Sequence, residues 1–290
     1  MTWEELLSRF AASGRLSPLT IKNTRSALKF LRRFRESAGP HELETSHLQE
    51  FYREQRRSVS DSTSARRMWA LGALLRWAVK HGHLLVDPSD GLKIHPPRKS
   101  MQRVLTQDEM ARILLAPNEA RGQIRLRDRA MLELLYGTGM RGGELAALDL
   151  VDIDLADRSL RIMGGKGKPR RVPFGERAAV ALKDYLDGTA SERLASGEMA
   201  LFWTMSGQRM STETLASQLR HYGKTLGLTG VTPHAFRRAC ATHLLENGAN
   251  IAEIKRLLGH ADINSTMVYT QMLPLDVVRS HRKFHPRAGQ

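Results

Sequence analysis

A mainly α-helical chain with one small antiparallel β-sheet is predicted by three features of this 290-residue sequence. Apolar residues recur at helical spacing through the first ninety or so residues. Between Val151 and Phe174 the period shortens to that of β-strands. Helical signals then resume at Ser211 and continue past Gly259. A stretch rich in proline, glycine and charge, DPSDGLKIHPPRKSM from Asp87 to Met101, separates two domains in this pattern.

Composition narrows the function classes. Each half is long enough to bury a core without disulfides or metal. The lone Cys240 excludes an intramolecular disulfide and a cysteine-based zinc site. With no signal-type apolar leader and no run of eighteen apolar residues, the chain reads as cytoplasmic and free of the membrane. Lys and Arg number 45 against 30 Asp and Glu, a formal charge of +15. Spread over both halves, that excess favours nucleic acid over an anionic membrane as partner.

Four helices are expected in the first half: Met1 to Phe10, Leu19 to Ala38, Thr45 to Arg57 and Ser60 to Lys80. In the second, Ile21, Ala27, Leu28, Leu31 and Phe34 fall near helical spacing, with Arg32, Arg33 and Arg35 beside them. In the fourth, Met68, Leu71, Leu75 and Val79 suit a core face. Arg66, Arg67 and Arg76 read from pattern alone as an ordinary solvated face. After the linker, Thr106 with Glu109 three residues on forms a capping box.

A helix is expected from Asp128 to Tyr136, ended by Gly137-Thr138-Gly139. The next turn, MRGGELAAL, carries Arg141 and Glu144 on one face. In isolation such a pair is a surface ion pair worth under about 1 kcal/mol. Gly142 and Gly143 weaken that helix start. VDIDL, SLRIM and RRVPF then read as three antiparallel strands, with Asp152 and Asp154 facing solvent by alternation. The turn GGKGKP puts Lys166 and Lys168 on a hairpin tip. It is not a phosphate-binding loop of Walker type, because no Ser or Thr follows the lysine. Ser211 to Leu226 makes a further helix with Leu215 and Leu219 inward.

The densest chemistry lies between Thr232 and Met272. Thr232 reads as an N-cap with Pro233 at the first helical position, so His234 and Arg237 sit three apart near a helix N-terminus suited to an anion. This helix stops near Asn247-Gly248. Another runs from Asn250 to a C-terminal Gly259, and His260 follows the stop. A third short helix, opened between Asp262 and Thr266, carries Tyr269. Guanidinium forks grip phosphate oxygens, and a phenolate can attack phosphorus. Each residue also has a bland reading: a His-x-x-Arg pair is usually a cap or surface pair, and most tyrosines are packing residues. His243, among apolar neighbours, reads as structural.

The segment HAFRRACATHLLENGANIAEIKRLLGHADINSTMVYTQ resembles the C-terminal signature of the tyrosine recombinase, or phage integrase, family, and its Xer-type members in particular. The resemblance implies a catalytic set of Arg141, Lys166, His234, Arg237 and His260 around the nucleophile Tyr269, with Glu144 positioning Arg141. Lys168 is the alternative lysine and a DNA-contacting candidate.

The resemblance also implies a helical core-binding domain at residues 1–97, with Arg32, Arg33, Arg66 and Arg67 as DNA-contacting candidates. A linker at 98–104, a tyrosine-recombinase catalytic domain at 105–273 and a tail at 274–290 that docks on a neighbouring subunit complete the chain. The implied reaction is site-specific recombination through a 3′-phosphotyrosyl intermediate and a Holliday junction, with no cofactor and no metal. The implied partners are double-stranded DNA bearing specific sites and three further copies in a tetramer on the nucleoid, with room for accessory proteins. Two other readings remain at this level: a type IB topoisomerase, with the same chemistry uncoupled between sites, and a non-catalytic DNA-binding module.

Overall fold

The computed structural model describes residues 1–14, 16–35, 39–95, 103–119, 122–163, 169–259 and 283–287. The chain divides into two compact units, Met1–Met101 and Gln102–Gln290.

In the first unit the four expected helices form, as α1 (Trp3–Ala12), α2 (Pro18–Phe34), α3 (Thr45–Ser58) and α4 (Asp61–Lys80). Three start on a hydroxyl side chain that accepts a backbone N–H: Thr2 from Glu5, Ser17 from Thr20 and Ser60 from Thr63. The apolar stripes of all four meet in one core that includes Leu6, Phe10, Leu31, Phe51, Leu71 and Leu75. Helix α2 stops at Phe34, short of the expected Ala38.

The second unit begins with α5 (Gln107–Leu115), opened by the capping box of Thr106 and Glu109. Next, α6 spans Gly122–Thr138 and is longer at both ends than the sequence pattern predicts. Asp128 is no start signal, because its buried carboxylate accepts from Tyr222 Oη at 2.6 Å and Arg127 Nε at 2.7 Å. At the other end Gly137 and Thr138 remain helical, with Thr138 Oγ1 donating to the Leu134 carbonyl at 2.6 Å. The helix ends where Gly139 turns to a φ of 60°.

The short α7 (Gly142–Ala146) leads into a three-stranded antiparallel sheet of β1 (Ile153–Asp154), β2 (Ser159–Met163) and β3 (Pro169–Pro173), in that order. Ile162 pairs with Arg170 and Met163 with Pro169, so the lysine turn spans that last pair. Asp152 departs from the expected alternation. It lies just before β1 with its side chain 15% exposed, turned in to accept from the Asp149 N–H and from Arg161.

Beyond the sheet come α8 (Glu176–Asp187) and α9 (Ala190–Ser196), two helices that a reading led by motifs passes over. Helix α8 packs on α6 and buries Tyr185. Helices α10 (Thr212–Thr225), α11 (Pro233–Glu246) and α12 (Ile251–Leu258) follow, each starting on a capping side chain, Ser211, Thr232 and Asn250. Helix α11 packs along α6, where buried His243 Nδ1 and Tyr136 Oη are 2.8 Å apart, in keeping with a structural role for His243. Of the tail, Lys283–Arg287 is described and rests on this same unit, with Phe284 against its core. Among the described residues no helix is long and apolar enough to cross a membrane.

Candidate active site

Helix α11 supplies the first cation. Thr232 Oγ1 accepts the Ala235 N–H at 3.2 Å, and Pro233 occupies the first turn, which fixes where the helix begins. His234 is solvent-exposed at this N-terminus, whereas Arg237, one turn on, is buried with 7% exposure. Its guanidinium donates from Nη1 to the Gly139 carbonyl at 2.8 Å and from Nη2 to the Leu258 carbonyl at 2.7 Å. Both carbonyls sit at the C-terminal ends of helices, α6 and α12, where acceptors lack helical partners and the helix dipole favours a cation. Burial, and then the charges of Arg141 and Arg170, push the Arg237 pKa down to about 10. It is still protonated at neutral pH.

The second cation, Arg141, is the N-cap residue of α7. Its backbone N–H donates to Glu144 Oε2 at 2.8 Å and its Nη1 to Oε1 at 2.9 Å. This is not the surface ion pair that the isolated spacing predicts. The Glu144 side chain is 8% exposed and takes a second guanidinium: Arg170 on β3 donates from Nη1 to Oε1 and from Nη2 to Oε2, both at 3.0 Å. Burial pushes the Glu144 carboxyl up, but the contacts with Arg170 and Arg141 outweigh it and hold the pKa below the usual glutamate value. Two guanidiniums thus share one carboxylate, and Arg237 interacts with the same group through its charge alone, leaving positive charge in excess.

Arg170 is the residue that motif reading missed. Strand alternation carried the signal, because Arg170 lies on the face of buried Val172, whereas Arg171 points outward to Asp154 and Asp157. Lys166, Lys168, His260 and Tyr269 lie outside the described residues, as does the helix expected to carry Tyr269. The elements on either side of them, β2, β3 and Gly259, are described.

The first unit carries arginines of its own. Arg32 pairs with Glu4, and Arg33 and Arg66 are exposed. Arg67 lies 3.5 Å above the Phe30 ring and donates to Gln55, so part of its binding capacity is used within the unit. Cys240 is buried, and burial pushes its thiol up to about 12. No group of three or more His, Cys, Asp or Glu suited to a metal ion occurs among the described residues.

Residues 103–274 match the phage integrase family, and residues 4–82 match the N-terminal SAM-like domain of phage integrases. The chain is 37% identical to a tyrosine recombinase XerC of Mycobacterium tuberculosis over 78% of each chain. It is 30% identical to that of Proteus mirabilis, over 98% of this chain and 94% of the relative. Its fold matches that of a lambda integrase tetramer bound to a Holliday junction, with a TM-score of 0.70 and 22% identity over 93% of this chain and 80% of the other. With a matching catalytic region and a matching N-terminal domain in the same order, the chain belongs to the phage integrase family of tyrosine recombinases.

Proposed function

We propose that this site-specific recombinase cleaves and rejoins double-stranded DNA at specific sites, with Tyr269 as the nucleophile. The observation that carries the reading is the group of Arg141, Arg170 and Arg237 around Glu144. It concentrates fixed positive charge of the kind that stabilises a phosphate in the transition state. The Tyr269 oxygen attacks phosphorus and the bond from phosphorus to the 5′-oxygen breaks. The products are a 3′-phosphotyrosyl enzyme and a free 5′-hydroxyl. His234, exposed at the start of α11, takes the phenolic proton, and Lys166 protonates the departing 5′-oxygen. Arg141, Arg237 and His260 hold the non-bridging oxygens.

Attack by a 5′-hydroxyl from a second duplex reverses the step and exchanges strands, so the phosphoester energy is retained and no nucleotide is consumed. Likeness to an integrase tetramer on a Holliday junction supports a tetramer on two sites as the working form. The SAM-like unit, with Arg32, Arg33, Arg66 and Arg67, supplies the remaining DNA contacts, and the cytoplasmic nucleoid is where such a protein meets its substrate. Accessory proteins would act by deciding which sites are brought together.

The test is a suicide DNA substrate resolved on denaturing gels. Tyr269→Phe is expected to bind DNA like the parent and to form no covalent complex. An adduct in that variant would move the nucleophile to another tyrosine.

A further inference from the structure

We propose that Arg170 is a positioning residue for proton transfer to the leaving group, acting by holding the root of the lysine hairpin against the arginine site. This rests on the reading of Lys166 as proton donor.

Three segments that carry proposed catalytic residues converge on the Arg170 side chain. Through two parallel hydrogen bonds of 3.0 Å it grips Glu144, which also holds Arg141. A fork of this kind fixes orientation as well as distance, because both donors and both acceptors are planar. On the strand, Arg170 pairs with Ile162, one pair away from the Met163 and Pro169 pair that the lysine turn spans. The hairpin root is therefore clamped to α7 within two residues of Lys168 and four of Lys166. The third segment is the end of α12. A Cβ built on Gly259 would lie 2.8 Å from Arg170 Nε and 2.9 Å from Cζ, so the guanidinium packs directly on this backbone, which has a φ of 64°. Only glycine meets both the space and the torsion there, and His260 is the next residue.

Arg170, unlike Arg237, turns both Nη atoms to a single carboxylate, and its Nε is buried with no hydrogen-bond partner among the described residues, so its donors face Glu144 and the Gly259 backbone. Its effect on the reaction therefore runs through what it holds. Proton transfer requires a donor within hydrogen-bond reach of the 5′-oxygen, so a strand held against the arginine site next to the proposed donor favours it. Without that hold, Arg141 keeps its own two bonds to Glu144, while the hairpin loses its tether.

The experiment separates proton transfer from phosphate binding. Cleavage is measured on ordinary DNA and on DNA in which the bridging 5′-oxygen is sulfur, because a thiolate leaves without needing the proton that an alkoxide needs. Arg170→Lys keeps the charge opposite Glu144 and loses the fork. It is expected to cleave ordinary DNA roughly 100-fold more slowly, the scale of general acid catalysis, and to return close to the parent rate on the sulfur substrate. Arg170→Gln, which keeps a planar donor, is the second variant should Arg170→Lys melt early, and the same pattern is expected of it. Equal loss on both substrates, or no loss on either, overturns the proposal. Lys166→Ala is run beside them. If it too is restored by sulfur, the underlying reading stands. Should Arg170 variants be restored and Lys166→Ala not, the clamp serves a different proton donor on the same hairpin. Should Lys166→Ala be restored and the Arg170 variants not, the clamp idea alone fails.

Discussion

Arg237 donates from Nη2 to the Leu258 carbonyl at 2.7 Å and so ties α11 to the last turn of α12. Its Nη1 makes the matching bond to Gly139 at the end of α6. A guanidinium has five N–H groups, so these two bonds leave donors available for a phosphate while fixing the plane from which they project. One residue thus serves both as a strut and as a candidate ligand, and the two roles predict different things.

Arg237→Lys keeps a charge but cannot reach both carbonyls. Leaving one buried carbonyl without its donor costs about 1–3 kcal/mol. For a unit of this size, each kcal/mol lowers the melting temperature by roughly 2–4 °C. Loss of a planar donor at the phosphate lowers cleavage by about 100- to 1000-fold. Gel shifts should show DNA binding preserved while suicide-substrate cleavage collapses. Cleavage at the parent rate would mean that a point charge suffices at this position.

The Glu144 carboxyl gives a pH signature. Its pKa is held down in the folded protein by Arg170 and Arg141 against the opposing effect of burial. As pH falls, the unfolded chain therefore takes up this proton first. The stabilisation is complete above the unfolded glutamate value of about 4.3 and is lost as pH drops through the lower folded value. Glu144→Gln, which cannot titrate, is expected to be less stable at neutral pH, with the gap to the parent narrowing on acidification below that value. Thermal melts across the acid range measure it. A gap that stays constant with pH would deny Glu144 its ionised role.

What was legible in the sequence was local. Thr106 and Thr232 were readable as caps, and Ser60, Ser211 and Asn250 as helix starts, because each accepts an N–H only two or three residues away. Gly259 at the end of α12 is of the same kind. The partners of Arg237 were not legible, because Gly139 lies 98 residues away and Leu258 lies 21 away. Asp128, where α6 was expected to begin, is likewise tied to a residue far along the chain, Tyr222, 94 residues on. The fork from Arg170 to Glu144 spans 26 residues and joins a strand to a helix start, so only strand alternation hinted at it.

The tail provides the last prediction. Asn247 Nδ2 donates to the Phe284 carbonyl at 3.0 Å, and His285, 5% exposed, places Nε2 3.1 Å from the Tyr136 carbonyl oxygen. Arg287 donates from Nε to Glu133 Oε2 at 2.7 Å, with a second contact from Nη2 to Oε1, and Glu133 is only 3% exposed. Removing one partner of such a pair strands a buried charge and costs about 3–5 kcal/mol. Arg287→Met is therefore expected to lower the melting temperature by roughly 2–4 °C for each kcal/mol lost. Adding Glu133→Gln should recover much of the loss, because the stranded charge is gone. Truncation after Met272 removes the whole seat and should destabilise at least as much. If the tail stays on its own domain, these losses are independent of protein concentration and recombination between two sites survives in Arg287→Met at low temperature. If the tail is exchanged between copies, the parent's melting temperature rises with concentration, and both variants lose two-site recombination while still binding a single site. Unchanged melting in Arg287→Met would show that the contact with Glu133 contributes nothing to either arrangement.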